Sequence, residues 1–113
     1  MKKGFASRIG PEEGAISLLH RAQHQGETVA LVDLGGCYAL PADGIDYGID
    51  IARLLVSTPD TEVQALEIAD ALARSGAVDT LVLAGMPSGI TADEAVRRLH
   101  PVAKRYGCQC WVL

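Results

Sequence analysis

Chemistry in this sequence can only come from glycines that free backbone N–H groups, or from nucleophiles and carboxylates lying near a base or a cation. Gly10 and Gly14 bracket the segment GPEEG in front of an apolar-periodic stretch, so the orphan N–H groups of a helix start there and can hold a phosphate or sulfate weakly. Asp33, Asp43, Asp46 and Asp50 lie in or beside a glycine-bearing loop. They read as solvated loop acids, because a hard cation needs several such oxygens to converge. An enzyme built on Asp33 and the loop acids would require a concave pocket at the C-terminal ends of strands. Cys37 has three candidate bases, His20, His24 and His100, but no spacing that brings one to it. Cys108 and Cys110 do not form a CxxC pair; at i and i+2 of a strand they share one face and read as packing residues. Arg97, Arg98, Lys104 and Arg105 fit the solvated face of a helix, with favourable charge near its C-terminus.

Composition narrows what these residues can serve. A length of 113 residues makes one core, and an apolar fraction of 49% fills it. A net charge of −4 and an aromatic fraction of 4% oppose a strong non-specific hold on nucleic acid, which draws on many cationic contacts and on stacking rings. The basic clusters are local: Lys2, Lys3 and Arg8, and the four cations near the end. MKKGFASRIG has no apolar run after its lysines, and no stretch is long and apolar enough to span a bilayer. Three cysteines without a secretory signal read as reduced and cytoplasmic.

The elements that must position these residues alternate in period. Residues 4–9 form a short strand. Pro11 suits the first position of a helix with Glu12 and Glu13 in its first turn, Ile16, Leu19 and Ala22 as its buried stripe, and Gly26 as its stop. TVALV at 28–32 is apolar on both faces, as in a covered parallel sheet. After a loop over 37–48, Leu54 to Val56 forms a strand, and Thr58 or Asp60 caps a helix that runs to Gly76. Residues 78–83 form a central strand. Thr91 and Glu94 match a capping box for a last helix, which Pro101 should kink or restart, and 108–113 is a final apolar strand. Strand and helix alternate throughout, which favours a single parallel sheet.

Residues 48–79 carry a resemblance. GIDI, LL, Ser57, PDT, QALEI and DALARSGAVD stand there in the order and spacing of the ATPase core of the RecA family of bacterial recombinases. Weaker likeness extends to Gly10-Pro11-Glu12 at the opening of the family's phosphate loop, to Ala22-Gln23, Gly26 and Val32-Asp33, to Leu81-Val82-Leu83, and to Cys110-Trp111-Val112-Leu113. The resemblance implies a single RecA-like core domain over 1–113. Its fold would be a three-layer P-loop NTPase fold reduced to a parallel sheet of about five strands with helices on both faces. The implied strand order is N-terminal strand, 108–113, 78–83, 28–33, 54–56.

It also implies a nucleotide site whose parts are missing. A phosphate loop needs G-x-x-x-x-G-K-[ST], for backbone N–H groups around the phosphates, a neutralising lysine and a metal-holding hydroxyl. Residues 10–14 are one short of that spacing, and Ala15 and Ile16 replace the Walker A lysine and the hydroxyl. Gly35 stands where the family has its catalytic glutamate, Ala84 where it has the Walker B aspartate, and Gly85 in place of the neighbouring serine. The adenine-stacking tyrosine falls near Ala42 or Asp43, and neither Tyr38 nor Tyr47 aligns with it. The first DNA-binding loop, around 86–91, is short; the second, and the family's N-terminal polymerisation segment, have no counterpart. The expectation is a non-catalytic domain with no cofactor, metal or catalytic residue, acting through protein contacts in DNA recombination or repair. The alternative is an atypical ATP-binding or DNA-associated protein. The family continues beyond the strand matching 108–113, so exposed apolar surface is expected near Phe5, Trp111 and Leu113, covered by a second copy or by a recombination or repair protein.

Overall fold

Two strands set the architecture. In the computed structural model, which describes residues 5–8, 14–36, 49–86 and 90–113, β2 (Val29–Asp33) and β4 (Thr80–Ala84) are buried at every position. A strand buried on both faces needs a layer on each side. The chain supplies these layers with α1 (Ala15–His24) on one face and α2 (Glu62–Arg74) and α3 (Ile90–Tyr106) on the other. With β1 (Ala6–Arg8), β3 (Leu54–Ser57) and β5 (Gln109–Val112), the sheet has five strands, all parallel, in the order β1-β5-β4-β2-β3. That is the order implied by the resemblance.

The two-residue period of the strands divides the core cleanly. Ala30, Val32, Leu81, Leu83, Cys110 and Val112 face α2 and α3, where they meet Ala65, Ala69, Ala95 and Leu99. Val29, Leu31, Val82 and Ala84 face α1 and meet Leu18, Leu19 and Ala22, with Trp111 and Leu113 partly covered beside them. Each fully buried leucine, such as Leu31 or Leu83, contributes on the order of 1.5 to 3 kcal/mol of transfer free energy.

Element ends depart from the sequence reading in two places, at α2 and α3. Gly14 has φ 67 and ψ 150, a non-helical geometry, and α1 starts at Ala15; Pro11, Glu12 and Glu13, read as the first turn, lie outside the described residues. Neither Thr58 nor Asp60 caps α2. Thr61 does, its Oγ1 accepting from the Gln64 N–H at 3.2 Å while Gln64 Oε1 accepts from the Asp60 N–H at 3.2 Å, a near capping box one residue further on. Helix α3 starts at Ile90, which puts Thr91 inside it and rules out Thr91 as the N-cap, and it runs on through Pro101 without restarting.

Single polar contacts fix the remaining joints. The Ala6 N–H donates to His100 Nδ1 at 3.3 Å, and Arg8 pairs with Asp93 at 3.2 Å, tying β1 to α3. Asp79 Oδ2 accepts from the Thr28 N–H at 2.9 Å, and the Thr80 hydroxyl donates to Glu27. Gln23 is buried on α1 and makes two bonds to one residue. Its Nε2 donates to the Asp50 carbonyl at 2.9 Å, and its Oε1 accepts from the Asp50 N–H at 2.7 Å. The side-chain amide thus acts as a short strand partner for the segment leading into β3. Gln23→Ala should lower stability by about 1 to 2 kcal/mol, the cost of two backbone groups losing their partner. Urea unfolding should show this as a shifted midpoint at unchanged slope.

Candidate functional site

In a parallel α/β sheet, ligands meet the C-terminal ends of the strands, where helix N-termini point outward. Here that rim consists of Gly14 before α1, Leu34 and Gly35 after β2, residues 58–61 before α2, and Gly85 and Met86 after β4. Asp33 and Ala84 are register partners at the adjacent ends of β2 and β4. The positions that the resemblance assigns to water activation and to the metal, Gly35 and Ala84, are therefore brought to one place. Neither offers a carboxylate.

Asp33 is not the solvated loop acid it was expected to be. It is the last residue of β2, is 1% exposed and has an interaction partner. Asp50 does lie at the surface, where its Oδ1 accepts from the Ala52 N–H at 3.1 Å in a local turn. Asp43, Asp46, Cys37, Tyr38, Tyr47 and the Gly10 side of the glycine segment lie outside the described residues. No group of three or more metal-ligating side chains gathers among the described residues. Cys108 and Cys110 are fully buried in the α2/α3 core. The hydrogen bond that the Cys110 thiol makes to Cys108, with burial, pushes that thiol far above its ordinary range, so it stays protonated and inert. Arg97, Arg98, Lys104 and Arg105 are exposed, as a solvated helix face requires; Arg105 and Arg74 lie 5.8 and 5.9 Å from the Tyr106 ring centre.

Glycine shapes this rim more than charge does. Gly85 has φ 88, and a Cβ there would collide with the carbonyl oxygen of Leu34. The turns leaving β2 and β4 touch through that point. Gly35 has φ 79 and open space around it, and its N–H donates to the Pro59 carbonyl at 3.0 Å, joining the end of β2 to the turn after β3. A Cβ at position 35 would meet nothing within 4 Å, but any side chain there would carry the left-handed penalty of about 1 to 2 kcal/mol.

Two clefts lie near the sheet ends. One of about 470 Å³ at the rim is lined by Leu34, Gly35, Asp60, Thr61, Glu62 and Val63; its two acids have no cationic side chain beside them in that lining. The other, about 400 Å³, opens at the opposite end between α1 and the starts of β4 and β5, with Arg21, Glu27, Thr80, Gln109 and Trp111 among its walls. Neither gathers the residues that the sequence singled out.

Comparison with known proteins decides the ancestry. The family model described as the RecA N-terminal domain matches residues 9–97. The chain belongs to the RecA N-terminal domain family. Protein RecA of Ruminococcus albus is 41% identical over a 91-residue alignment that covers 75% of this chain and 22% of that protein. The chain thus spans about a fifth of the length of this RecA relative. A crystal structure of SulA from Pseudomonas aeruginosa superposes with a TM-score of 0.69, covering 95% of this chain and 92% of that one, at 16% identity. At that identity the likeness is one of fold alone. No helix among the described residues is long and apolar enough to cross a membrane.

Sequence reasoning did not anticipate the Gly85–Leu34 contact or the Gln23 clamp. The first had a faint signal, a glycine directly after a buried strand; the second had none. Gly85→Ala should lose about 2 to 4 kcal/mol, combining left-handed strain with backbone overpacking, whereas Gly35→Ala, which meets open space, should lose only the strain. Denaturant unfolding of the two variants side by side checks the difference.

Proposed function

We propose that this chain is a single RecA-like core domain over residues 1–113, a P-loop NTPase fold without the catalytic apparatus. It works through protein contacts in recombination or repair in the cytoplasm, and it does not hydrolyse ATP. The observation that carries this reading is the pairing of Asp33 with Ala84 at the rim. Phosphoryl transfer rests on charge placed around the transferring group. At this rim one strand end offers a methyl group, the residue two places after Asp33 is a glycine in open space, and Asp33 itself is buried. Family membership and the RecA relative support the recombination and repair setting. The net charge of −4 supports contacts with protein over a tight hold on nucleic acid.

Calorimetric titration with ATP and magnesium tests the non-catalytic half of the reading. The expected dissociation constant is on the order of millimolar or weaker, with no phosphate release. A low-micromolar constant abolished by Gly14→Ala would establish an atypical nucleotide site instead. Capture from a bacterial extract with this chain as bait tests the other half: recovery of a recombination or repair protein is expected, and recovery of none removes that setting.

A further inference from the structure

The apolar surface expected near Phe5, Trp111 and Leu113 is partly covered, with Phe5 packed edge-on against Trp111 at 5.2 Å between ring centres. The chemistry still without a task lies on α1. Of the three histidines in the chain, His100 is committed to the sheet, its Nδ1 accepting from the Ala6 N–H. His20 and His24 have no such role. Both are exposed, and their rings lie nearly parallel, 14° apart in plane and 6.2 Å between centres. Neither makes a hydrogen bond among the described residues. The helix dictates this pairing, because residues four apart stand one above the other. The buried stripe of Leu18, Leu19, Ala22 and Gln23 turns positions 20 and 24 to the middle of the solvent face. Two imidazoles at that spacing are the simplest chelate a helix can present, the spacing by which two histidines on one helix face bind zinc. An ion bonded to two imidazole nitrogens at about 2.0 to 2.1 Å sets the ring centres roughly 5 Å apart, so a small turn of both exposed side chains brings them onto one ion. Arg21, beside them on the helix, has an interaction of its own.

We propose that His20 and His24 form a bidentate site for a divalent transition-metal ion of the kind that imidazole suits, nickel, copper or zinc. This goes beyond the proposed function and does not depend on it, and it departs from the expectation that the chain holds no metal. No third ligating side chain joins the pair among the described residues, so water completes the coordination and the ion is held by the two rings alone. Its effect falls on α1. That helix has ten residues and no side-chain cap at its N-terminus, and a helix so short is marginal by itself. It is nevertheless the helix that covers Val29, Leu31, Val82 and Ala84 of the sheet. An ion joining its last two turns stabilises the folded chain by mass action, because the unfolded chain does not hold the two rings together.

Calorimetric titration of the untagged 113-residue chain with nickel chloride should show one ion per chain, with a dissociation constant on the order of 10 to 100 µM. Saturating nickel should raise the urea midpoint at unchanged slope. His24→Ala should weaken binding at least about tenfold, since one ring alone forms no chelate, and should abolish the midpoint shift. Its far-UV circular dichroism and its metal-free midpoint should stay close to those of the parent, because the side chain is exposed. His24→Gln combined with Gln25→His keeps two histidines but sets them five apart on diverging faces; it should bind no better than His24→Ala. Absence of binding up to about 1 mM nickel overturns the proposal. So does binding that survives His24→Ala, which marks an adventitious ion only, and so does a five-apart variant as tight as the parent, which removes the chelate. None of these outcomes touches the protein-contact reading.

Discussion

Everything in this domain depends on β2 lying beside β4 with both strands out of water on both faces. Their register, Val29 with Thr80 through to Asp33 with Ala84, leaves no position exposed. Such a pair has no solvated side, so its stability requires α1 on one face and the α2/α3 pair on the other. It also requires short joints at its ends, because a loop carrying unsatisfied backbone groups cannot enter the core. The Leu34–Gly85 contact, the Asp79 carboxylate on the Thr28 N–H and the Thr80–Glu27 bond close the two ends of the pair. Strands β1, β5 and β3 extend a sheet whose centre this pair defines.

The fold was legible where pattern and packing coincide. VALV and TLVL are apolar runs too short for helices, and EVQALEIADALAR presents Ala65, Leu66, Ala69 and Ala73 on one stripe, so element types followed from period alone. Strand order did not; it came with the resemblance, since apolar runs say nothing about neighbours. The misses are local competitions. Thr58 and Asp60 are good caps in isolation, yet Thr61 has a glutamine three residues on, and Thr61 Oγ1 on the Gln64 N–H together with Gln64 Oε1 on the Asp60 N–H outcompetes a lone oxygen. Asp33 was read as loop because it precedes two glycines, while the ladder with β4 carries one residue further.

The candidate site is legible mainly through what the resemblance implies at Gly35, Ala84 and Gly85, and the structure puts these residues at the ends of β2 and β4. Catalytic side chains on an α/β sheet stand at the ends of strands and contribute little to the core. Gly35, Ala84 and Gly85 occupy such ends, and all three are compatible with the sheet beneath them. Gly85 in particular lets the turns after β2 and β4 touch, an arrangement that a side chain at that position would break. The closest likeness to the RecA core runs through residues 48–79, which include α2 and its buried stripe.

The two edges of the sheet show how little periodicity says about exposure. Both β1 and β3 are short, and LLV in β3 reads as more buried than ASR in β1. Yet Ala6 of β1 is covered by α3, which is held there by the His100 and Asp93 contacts, while Leu55 and Val56 of β3 are left about half exposed. The cause is the number of helices on each face. Two helices on the α2/α3 side span from β1 to β2, and the single helix on the other side reaches the middle strands, so of β3 only Leu54 packs against the α1-side core while Leu55 and Val56 stay exposed. An edge strand with the sequence of a central one keeps the pairing capacity of a central one, because its outer side has no strand partner among the described residues and its aliphatic side chains stay half exposed. Ancestry explains why LLVS stands there, and layer width explains why it is exposed.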